Sequence, residues 1–151
     1  MASRKTLDNK IEIYTDGSCD PNPGPGGWAA IILDGTEKIV LSGYSASSTN
    51  NRMELMAALE ALKVLDGSKP VKIYTDSQYL QKGVEEWLSN WEARSWKRKG
   101  GVLANADLWK AISQEISQHK ITWRWIRGHA GNPFNEQADR IAQQARIKKG
   151  K

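Results

Sequence analysis

The sequence predicts an α/β fold in which helices flank a mixed five-stranded sheet, with three antiparallel strands followed by two parallel ones. Two observations predict it. Short apolar runs rich in β-branched residues fill the first third of the chain and alternate with segments of helical period in the rest. The tripeptide Tyr-Thr-Asp ends two of these runs, sixty positions apart, on either side of a helical segment. A helix between two such strands is typical of a parallel crossover.

The first third of the chain is predicted to form an antiparallel meander of three strands. Residues 11–15 alternate as a strand does, and the CDPNPGPGG segment that follows is rich enough in Pro, Gly and Asn to predict a turn. Residues 27–34 and 37–44 are predicted to form two further strands. The Asp-Gly dipeptide between them favours a hairpin because it tolerates positive φ.

The rest of the chain is predicted to alternate helices with strands. Apolar residues recur with a helical period from Arg52 to Leu65, and residues 71–75 follow as a strand, so this unit is a right-handed crossover. The remaining predicted elements are helices over 78–91 and 106–118, a strand over 121–126 and a last helix that begins at Pro133 after an Asn132 cap. We expect a single domain over residues 1–151, with 1–9 and 146–151 as flexible tails.

The composition is that of a basic globular domain without disulfides. The chain has 151 residues, of which 39% are hydrophobic and 26% charged. Its longest apolar run is too short to span a membrane, and its first ten residues offer no secretory signal, so we expect a cytoplasmic protein. A single cysteine, Cys19, allows neither an internal disulfide nor a thiolate metal site. The net charge of +5 favours a polyanionic partner.

Two aspartates, Asp16 and Asp76, end the two Tyr-Thr-Asp tripeptides. Because the strands before them are predicted to be parallel and adjacent, we expect both carboxylates at one edge of the sheet, where ligands bind in open sheets of this class. The alternative is that each aspartate caps the turn that follows it. The duplicated context favours the first interpretation.

Glu54, Asp139 and His129 are further candidates, each with an ordinary structural alternative. Glu54 shares a helical face with a stripe of alanines that lets the helix approach the sheet, but it also fits the third position of a capping box begun by Asn51. Asp139 lies in the last helix, and its spacing alone favours a solvated carboxylate. His129 lies in a Gly-rich loop and can change its charge near neutral pH, although exposed loop histidines are common.

A cluster of carboxylates requires cations, because ionised carboxylates at close range repel one another and raise each other's pKa. Oxygen ligands without a second cysteine or a histidine pair favour hard ions. We therefore expect Mg²⁺, with Mn²⁺ as the second choice.

Four motifs carry a resemblance to a known family: YTDGSCDPNPGPGGWAAII, TNNRMELMAALEAL, IYTDSQYL and WIRGHAGNPFNEQAD. In this order they resemble the bacterial type-1 ribonuclease H family over roughly residues 10–145. The resemblance implies a ribonuclease H-like fold and an endonuclease that hydrolyses the RNA strand of an RNA/DNA hybrid, leaving a 5′-phosphate and a 3′-hydroxyl. It implies no membrane and no protein partner, and we expect a monomer.

The resemblance also implies a catalytic site. The family's metal-binding carboxylates fall on Asp16, Glu54, Asp76 and Asp139, and its mobile histidine falls on His129. Two Mg²⁺ ions about 4 Å apart would activate a water on one side of the phosphorus and stabilise the departing 3′-oxygen on the other. Asp16 would bridge the ions, the other three carboxylates would complete their shells, and His129 would assist proton transfer or product release.

Further contacts with the hybrid are implied by the same resemblance. The 2′-hydroxyl, by which a protein tells RNA from DNA, would meet groups of Cys19, Asn22, Asn50, Ser77 and Gln78. Asn51 and Trp87 would lie nearer the DNA strand, and Thr49 with Asn105 would form a pocket for a DNA phosphate. A basic protrusion over residues 87–105 would hold the backbone through Arg94, Trp96, Lys97, Arg98 and Lys99. Trp87 and Trp91, four residues apart, are expected mainly to pack.

One departure from the family pattern weakens the expected phosphate pocket. Ser47 stands two residues before Thr49, where the family often has a basic residue, so the pocket depends on Thr49 and Asn105 alone. Two rival functions stay open. The protein could bind hybrids without cutting them, or it could be a nuclease of the integrase or transposase type, which shares the fold.

Overall fold

A mixed five-stranded sheet forms the centre of the fold in residues 10–96, 103–126 and 132–148, the part of the chain that the computed structural model describes. Its strands are β1 (Ile11–Cys19), β2 (Gly24–Asp34), β3 (Glu37–Ser48), β4 (Val71–Thr75) and β5 (Ile121–Trp125), in the order β3-β2-β1-β4-β5. β1 to β3 pair antiparallel, whereas β4 pairs parallel to both β1 and β5. The predicted fold class is confirmed.

Helices cover the sheet. They are α1 (Asn50–Lys63), α2 (Gln78–Lys82), α3 (Leu88–Ala93), α4 (Ala106–Ile116) and α5 (Pro133–Lys148). Ala61 and Leu62 of α1 are fully buried against Ile13 of β1 and Ile73 of β4, as the crossover requires. The Asn132 side chain accepts hydrogen bonds from the backbone nitrogens of the second and third residues of α5, so the predicted cap at Asn132 is confirmed. None of the helices in the described ranges is long and apolar enough to cross a bilayer.

The first helix begins earlier than its apolar pattern suggests. Thr49 is the N-cap of α1, and its hydroxyl oxygen accepts a hydrogen bond from the backbone nitrogen of Arg52 at 3.1 Å. Asn51 is therefore the second residue of the helix, and a capping box between Asn51 and Glu54 is excluded. The capping alternative for Glu54 is wrong because a hydroxyl two residues before Asn51 already caps the helix.

The strands of the meander extend beyond their predicted ends. β1 continues to Cys19 and β2 begins at Gly24, with Cys19 opposite Gly26. The Gly-rich segment predicted to be a turn is thus partly strand, because its glycines pair through the backbone despite their low strand propensity. Asp16 consequently lies inside β1, although beyond the last pair that β1 makes with β4, Tyr14 with Tyr74.

The helix predicted over 78–91 is interrupted. A π-helical turn, Gly83–Trp87, separates α2 from α3. Gly83 begins this turn, and a Cβ on it would overlap the ring of Trp109, which is fully buried at the centre of a second core. The wider turn occurs where an indole packs directly on the helix backbone, a contact that the apolar pattern does not encode.

The last helix is longer than expected. α5 runs through Lys148, so residues 146–148, which we expected in a flexible tail, are helical. Arg146 donates a hydrogen bond from Nε to the Ser18 hydroxyl of β1 at 3.0 Å. Tertiary contact with the sheet therefore extends this helix past the point at which its basic sequence suggested a tail.

Candidate active site

The strand register brings the two Tyr-Thr-Asp tripeptides side by side. Tyr14 and Tyr74 are partners across the parallel pair of β1 and β4, and each aspartate lies two residues further along its own strand direction. β4 ends at Thr75, so Asp76 leaves the sheet at its carboxyl edge. Asp16 and Asp76 meet because each follows one member of the Tyr14–Tyr74 register pair by two residues.

Glu54 reaches the same edge from α1 because Gly17 leaves room for the helix. A Cβ on Gly17 would lie 2.5 Å from the Glu54 backbone nitrogen and 2.8 Å from the Met53 Cβ. Any side chain at Gly17 would push the first turns of α1 away from β1. The absence of a side chain at one strand position thus sets the depth of Glu54 in the site.

Carboxylate oxygens of Asp16, Glu54 and Asp76 lie within 4.8 Å of one another. Asp16 is buried, whereas Glu54 and Asp76 are half-buried. The Oε1 atom of Glu54 is buried and has no hydrogen-bond partner among the residues that the structure describes. A buried carboxylate oxygen without a donor is costly unless a cation or an ordered water satisfies it.

Asp139 joins the cluster from α5. Its carboxylate lines the same cavity as Asp16 and raises the pKa of Asp16. The side-chain nitrogen of Gln143 lies 3.3 and 3.1 Å from the two Asp139 oxygens. Asp139 is half-buried, and it lines the cavity together with Asp16, Glu54 and Asp76. The ordinary interpretation of Asp139 as a solvated helix carboxylate is therefore wrong.

The four carboxylates line one cavity of about 320 Å³. Its other lining residues are Gly17, Ser18, Asn50, Asn135 and Glu136. Of these, only Asn50 was singled out from the sequence. Asn135 and Glu136 precede Asp139 by four and three residues, which places them on its helical face, so this spacing is the signal that could have found them.

The electrostatics of the site favour protonation when no cation is bound. Burial raises the pKa of Asp16 to about 8, helped by its hydrogen bond to Asp139 and by the negative charges of Asp76 and Asp139. Burial, and then the charges of Asp16 and Asp76, raise the pKa of Glu54 well above its ordinary value. The backbone N–H of Gly17 opposes both shifts by hydrogen bonding to the carboxylates.

This donor set fits a hard divalent cation. All of its ligand atoms are carboxylate oxygens, which Mg²⁺ and Mn²⁺ prefer. Oxygens bound at about 2.1 Å to one Mg²⁺ can stand at most about 4.2 Å apart, so a spread of 4.8 Å needs only a small closure of the side chains. The closure is favourable because the cation would satisfy the buried Glu54 oxygen that has no hydrogen-bond donor among the described residues.

Three of the predicted substrate contacts form one hydrogen-bonded chain at the rim of the cavity. The backbone nitrogen of Cys19 donates to the Asn50 side-chain oxygen at 2.7 Å, and the backbone nitrogen of Asn50 donates to the Asn22 side-chain oxygen at 3.1 Å. The Cys19 thiol is buried and points to three backbone carbonyls. Cys19 can therefore offer a ligand only backbone groups.

The predicted phosphate pocket contains a cation that sequence reasoning missed. Asn105, in a left-handed conformation, accepts a hydrogen bond from the Arg52 guanidinium at 3.1 Å and donates one to the Tyr79 hydroxyl at 3.0 Å. Arg52 also follows the Thr49 cap by three residues and pairs with Asp107 at 2.9 Å. The Arg52 guanidinium thus lies beside Asn105, paired with Asp107, whereas Ser47 supplies no charge.

Most of the other predicted contacts lie in the segment after β4, and Asn51 lies in α1. Ser77 is the buried N-cap of α2, and Gln78 is exposed beside it. The rings of Trp87 and Trp91 lie 5.5 Å apart and those of Trp91 and Trp109 lie 5.4 Å apart, so the predicted packing role is confirmed. Asn51 and Arg94 are exposed, whereas Trp96 packs on Trp91. Lys97, Arg98, Lys99 and His129 lie outside the described residues.

Comparison with known proteins agrees with this geometry. Residues 8–147 match the model of the RNase H family. A ribonuclease H of Hahella chejuensis is 51% identical over 133 residues, which are 87% of this chain and 90% of that protein. The crystal structure of LC9-RNase H1, a type 1 RNase H, has a TM-score of 0.84 at 30% identity, over 93% of this chain and 74% of that one. LC11-RNase H1, solved in complex with an RNA/DNA hybrid, shares the fold at 23% identity with a TM-score of 0.68, over 91% of this chain and 97% of that one. The chain therefore belongs to the RNase H family of hydrolytic ribonucleases.

Proposed function

We propose that this protein is an endonuclease that hydrolyses the RNA strand of RNA/DNA hybrids with two bound Mg²⁺ ions, leaving a 5′-phosphate and a 3′-hydroxyl. The observation that carries the proposal is the convergence of Asp16, Glu54 and Asp76 within 4.8 Å, with Asp139 lining the same cavity. Membership of the RNase H family supports the substrate, and LC11-RNase H1 is a fold relative that was solved with such a hybrid.

Each carboxylate has a role in this proposal. Asp16 would be the shared ligand, because it is the buried member of the group and its oxygens lie within 4.8 Å of those of Glu54 and Asp76. Glu54 and Asp76 complete one side of the site and Asp139 the other. When bound, two divalent cations would lower the pKa of a water, so that hydroxide is available to attack the phosphorus near neutral pH. They would also supply positive charge to the leaving 3′-oxygen. His129 assists proton transfer or product release.

Selection of RNA over DNA depends on groups near the 2′-hydroxyl in this proposal. Asn50 lines the acidic cavity, and its hydrogen bonds to Cys19 and Asn22 fix the orientation of its side chain and its backbone. A fixed amide at the edge of the metal site suits recognition of a hydroxyl beside the scissile phosphate. Ser77 and Gln78 directly follow Asp76 and approach the same edge from β4.

The DNA strand is held by cations away from the cavity. Arg52, Thr49 and Asn105 form the phosphate pocket, and Arg94 with Lys97, Arg98 and Lys99 contacts the backbone further along. Such contacts release counterions and so depend on salt concentration. We further propose that the protein acts as a monomer in the cytoplasm, without a protein partner.

Cleavage of an end-labelled RNA/DNA hybrid with Mg²⁺ or with chelator tests the proposal. We expect internal cuts in the RNA strand that require the metal, with 5′-phosphate ends that a phosphatase removes. Asp139→Asn should lose more than about a hundredfold in rate, since even outer-shell partners of metals are worth about 10–100-fold. Asp66→Asn, an exposed aspartate that holds a turn at Ser68, is the matched control and should cleave normally.

Duplex DNA and duplex RNA are the discriminating substrates. Metal-dependent cutting of duplex DNA at a comparable rate would favour a nuclease of the integrase or transposase type. Tight hybrid binding without any metal-dependent cleavage would favour a protein that only binds. Either outcome would overturn the proposal while leaving the fold assignment unchanged.

A further inference from the structure

The last helix is attached to β1 at three successive points. Tyr14, Asp16 and Ser18 are alternate residues of β1 and therefore share one face of the strand. Tyr14 packs on Phe134 with ring centroids 5.3 Å apart, Asp16 meets Asp139, and Ser18 accepts a hydrogen bond from Arg146 at 3.0 Å. The contact between the two carboxylates is thus flanked by an attractive contact on each side.

The middle attachment is repulsive when its groups are ionised. Asp16 of β1 and Asp139 of α5 line the same cavity, and two ionised carboxylates there repel each other unless they share a cation. Repulsion alone would drive α5 away from β1. The flanking contacts therefore have to hold the helix in place while cations are being bound or released.

Arg146 makes the flanking contact on the C-terminal side. Its side chain is 18% exposed, and its Nε donates a charge-assisted hydrogen bond to the Ser18 hydroxyl, which lines the acidic cavity. Its Nη1 lies 3.9 Å from Asp20, but Asp20 is 77% exposed and such a pair contributes little. Ser18 is therefore the main anchor of this guanidinium.

The backbone of α5 is close to the sheet at the same place. A Cβ on Gly27 of β2 would overlap the Ala142 carbonyl oxygen and the Arg146 backbone nitrogen. The helix rests directly on the β2 backbone there, without interdigitating side chains. Its position along β1 is then set by directional contacts, of which Arg146 to Ser18 is one.

We propose that Arg146 is a positioning residue for the metal site. By fixing the C-terminal half of α5 to Ser18, it holds Asp139 close enough to Asp16 for the two carboxylates to share cations. Arg146 itself touches neither the reacting phosphate nor the metal. This inference rests on the proposed function in that it assumes a divalent cation at the four carboxylates.

The test measures cation binding without substrate. The rise in Tm with Mg²⁺ concentration is followed for the parent protein and for Arg146→Ala, alongside the Mg²⁺ dependence of hybrid cleavage. For Arg146→Ala, we expect the Mg²⁺ concentration that gives half of the maximal rise in Tm, and half of the maximal cleavage rate, to increase about tenfold. This is the magnitude typical of residues that orient metal ligands. The KM for the hybrid and the rate at saturating Mg²⁺ should stay close to those of the parent.

Three further variants are the controls. Arg146→Lys can still donate to Ser18 and should recover most of the Mg²⁺ affinity. Ser18→Ala removes the same hydrogen bond with less loss of packing and should shift the Mg²⁺ dependence in the same direction, even if Arg146→Ala folds poorly. Arg140→Ala removes an equal charge from an exposed position of α5 and should leave the dependence unchanged.

Two results would overturn the inference. A lower Tm with an unchanged Mg²⁺ dependence would make Arg146 an ordinary packing residue, and a raised KM alone would make it a substrate contact. Failure of the proposed function gives a different result. In that case the parent would bind Mg²⁺ in the Tm experiment without cleaving the hybrid, and the effect of Arg146→Ala on Mg²⁺ binding would still support the positioning role.

Discussion

Tyr14 and Tyr74 stack face to face across the parallel strands β1 and β4, with ring centroids 4.5 Å apart and ring planes 5° apart. They are also the last register pair between these strands. Because the same two residues follow each tyrosine, Asp16 and Asp76 are carried to the same edge of the sheet. The two copies of the tripeptide thus occupy equivalent positions on neighbouring parallel strands.

Asp16→Asn is expected to abolish cleavage without loss of folding. The amide keeps the size of the side chain but removes the charge that both halves of the metal site share. We expect a rate loss above about a hundredfold. In chelator at pH 9, above the Asp16 pKa of about 8, the variant should be more stable than the parent, because the amide carries no charge in the buried site. Denaturant unfolding monitored by circular dichroism checks stability, and an unfolded variant would show that Asp16 is structural.

The stability of the metal-free protein should fall as pH rises. Asp16 has a folded pKa of about 8, above its ordinary value of 3.8, so its proton is held more tightly in the folded state. Its stabilising contribution is present in full below about pH 4 and is lost progressively as pH rises to about 8. Urea unfolding between pH 5 and pH 9 with chelator should show the decline, and Mg²⁺ should reduce it. A flat profile in chelator would contradict the raised pKa that burial and the neighbouring charges give Asp16.

Gly17→Ala should damage the site through the position of α1. The new methyl group would meet the Glu54 backbone nitrogen and displace the helix, and a displacement of about 1 Å can cost about a hundredfold in rate. Overpacking should also cost about 1–3 kcal/mol of stability. Gly35→Asn is the control, because Gly35 has open space around it and asparagine tolerates its positive φ. Normal cleavage by Gly17→Ala would show that Glu54 is not held by this contact.

Gly83→Ala should destabilise the protein by about 1–3 kcal/mol because the added Cβ overlaps the Trp109 ring. A double-mutant cycle with Trp109→Leu isolates this contact. The smaller side chain makes room for the methyl group, so the double variant should lose less stability than the sum of the two single variants. Additive losses in thermal or denaturant unfolding would mean that the added methyl group does not meet the indole.

Arg94→Ala should weaken hybrid binding at low salt. Arg94 is exposed at the C-terminal end of α3, beside the basic segment that follows. Removing one phosphate contact should reduce the slope of log affinity against log salt by about 1. Binding is measured with Ca²⁺ and an uncleaved hybrid, and Lys63→Ala at the far end of α1 is the control. An unchanged slope would place Arg94 outside the interface.

The sequence predicted the parts of the molecule that follow from local pattern. Alternation and helical period gave the order of strands and helices, and the repeated Tyr-Thr-Asp predicted the meeting of Asp16 and Asp76. Pattern did not predict the cap at Thr49, the length of β1 or the π-helical turn at Gly83. The cap is a local hydrogen bond that the apolar pattern does not contain. The π-helical turn depends on a contact between residues distant in the chain, the indole of Trp109 on the backbone of Gly83.

The same division holds for the candidate site. The four motifs identified the carboxylates, and their resemblance to one family predicted that Asp139 joins the cluster, although its helical spacing favoured a solvated position. Only the tertiary structure decided how deeply Glu54 is buried, that Arg52 stands beside Asn105, and that Arg146 anchors α5 to Ser18. The physical reason is that pKa shifts and hydrogen bonds depend on distances across the fold, which a one-dimensional pattern does not contain.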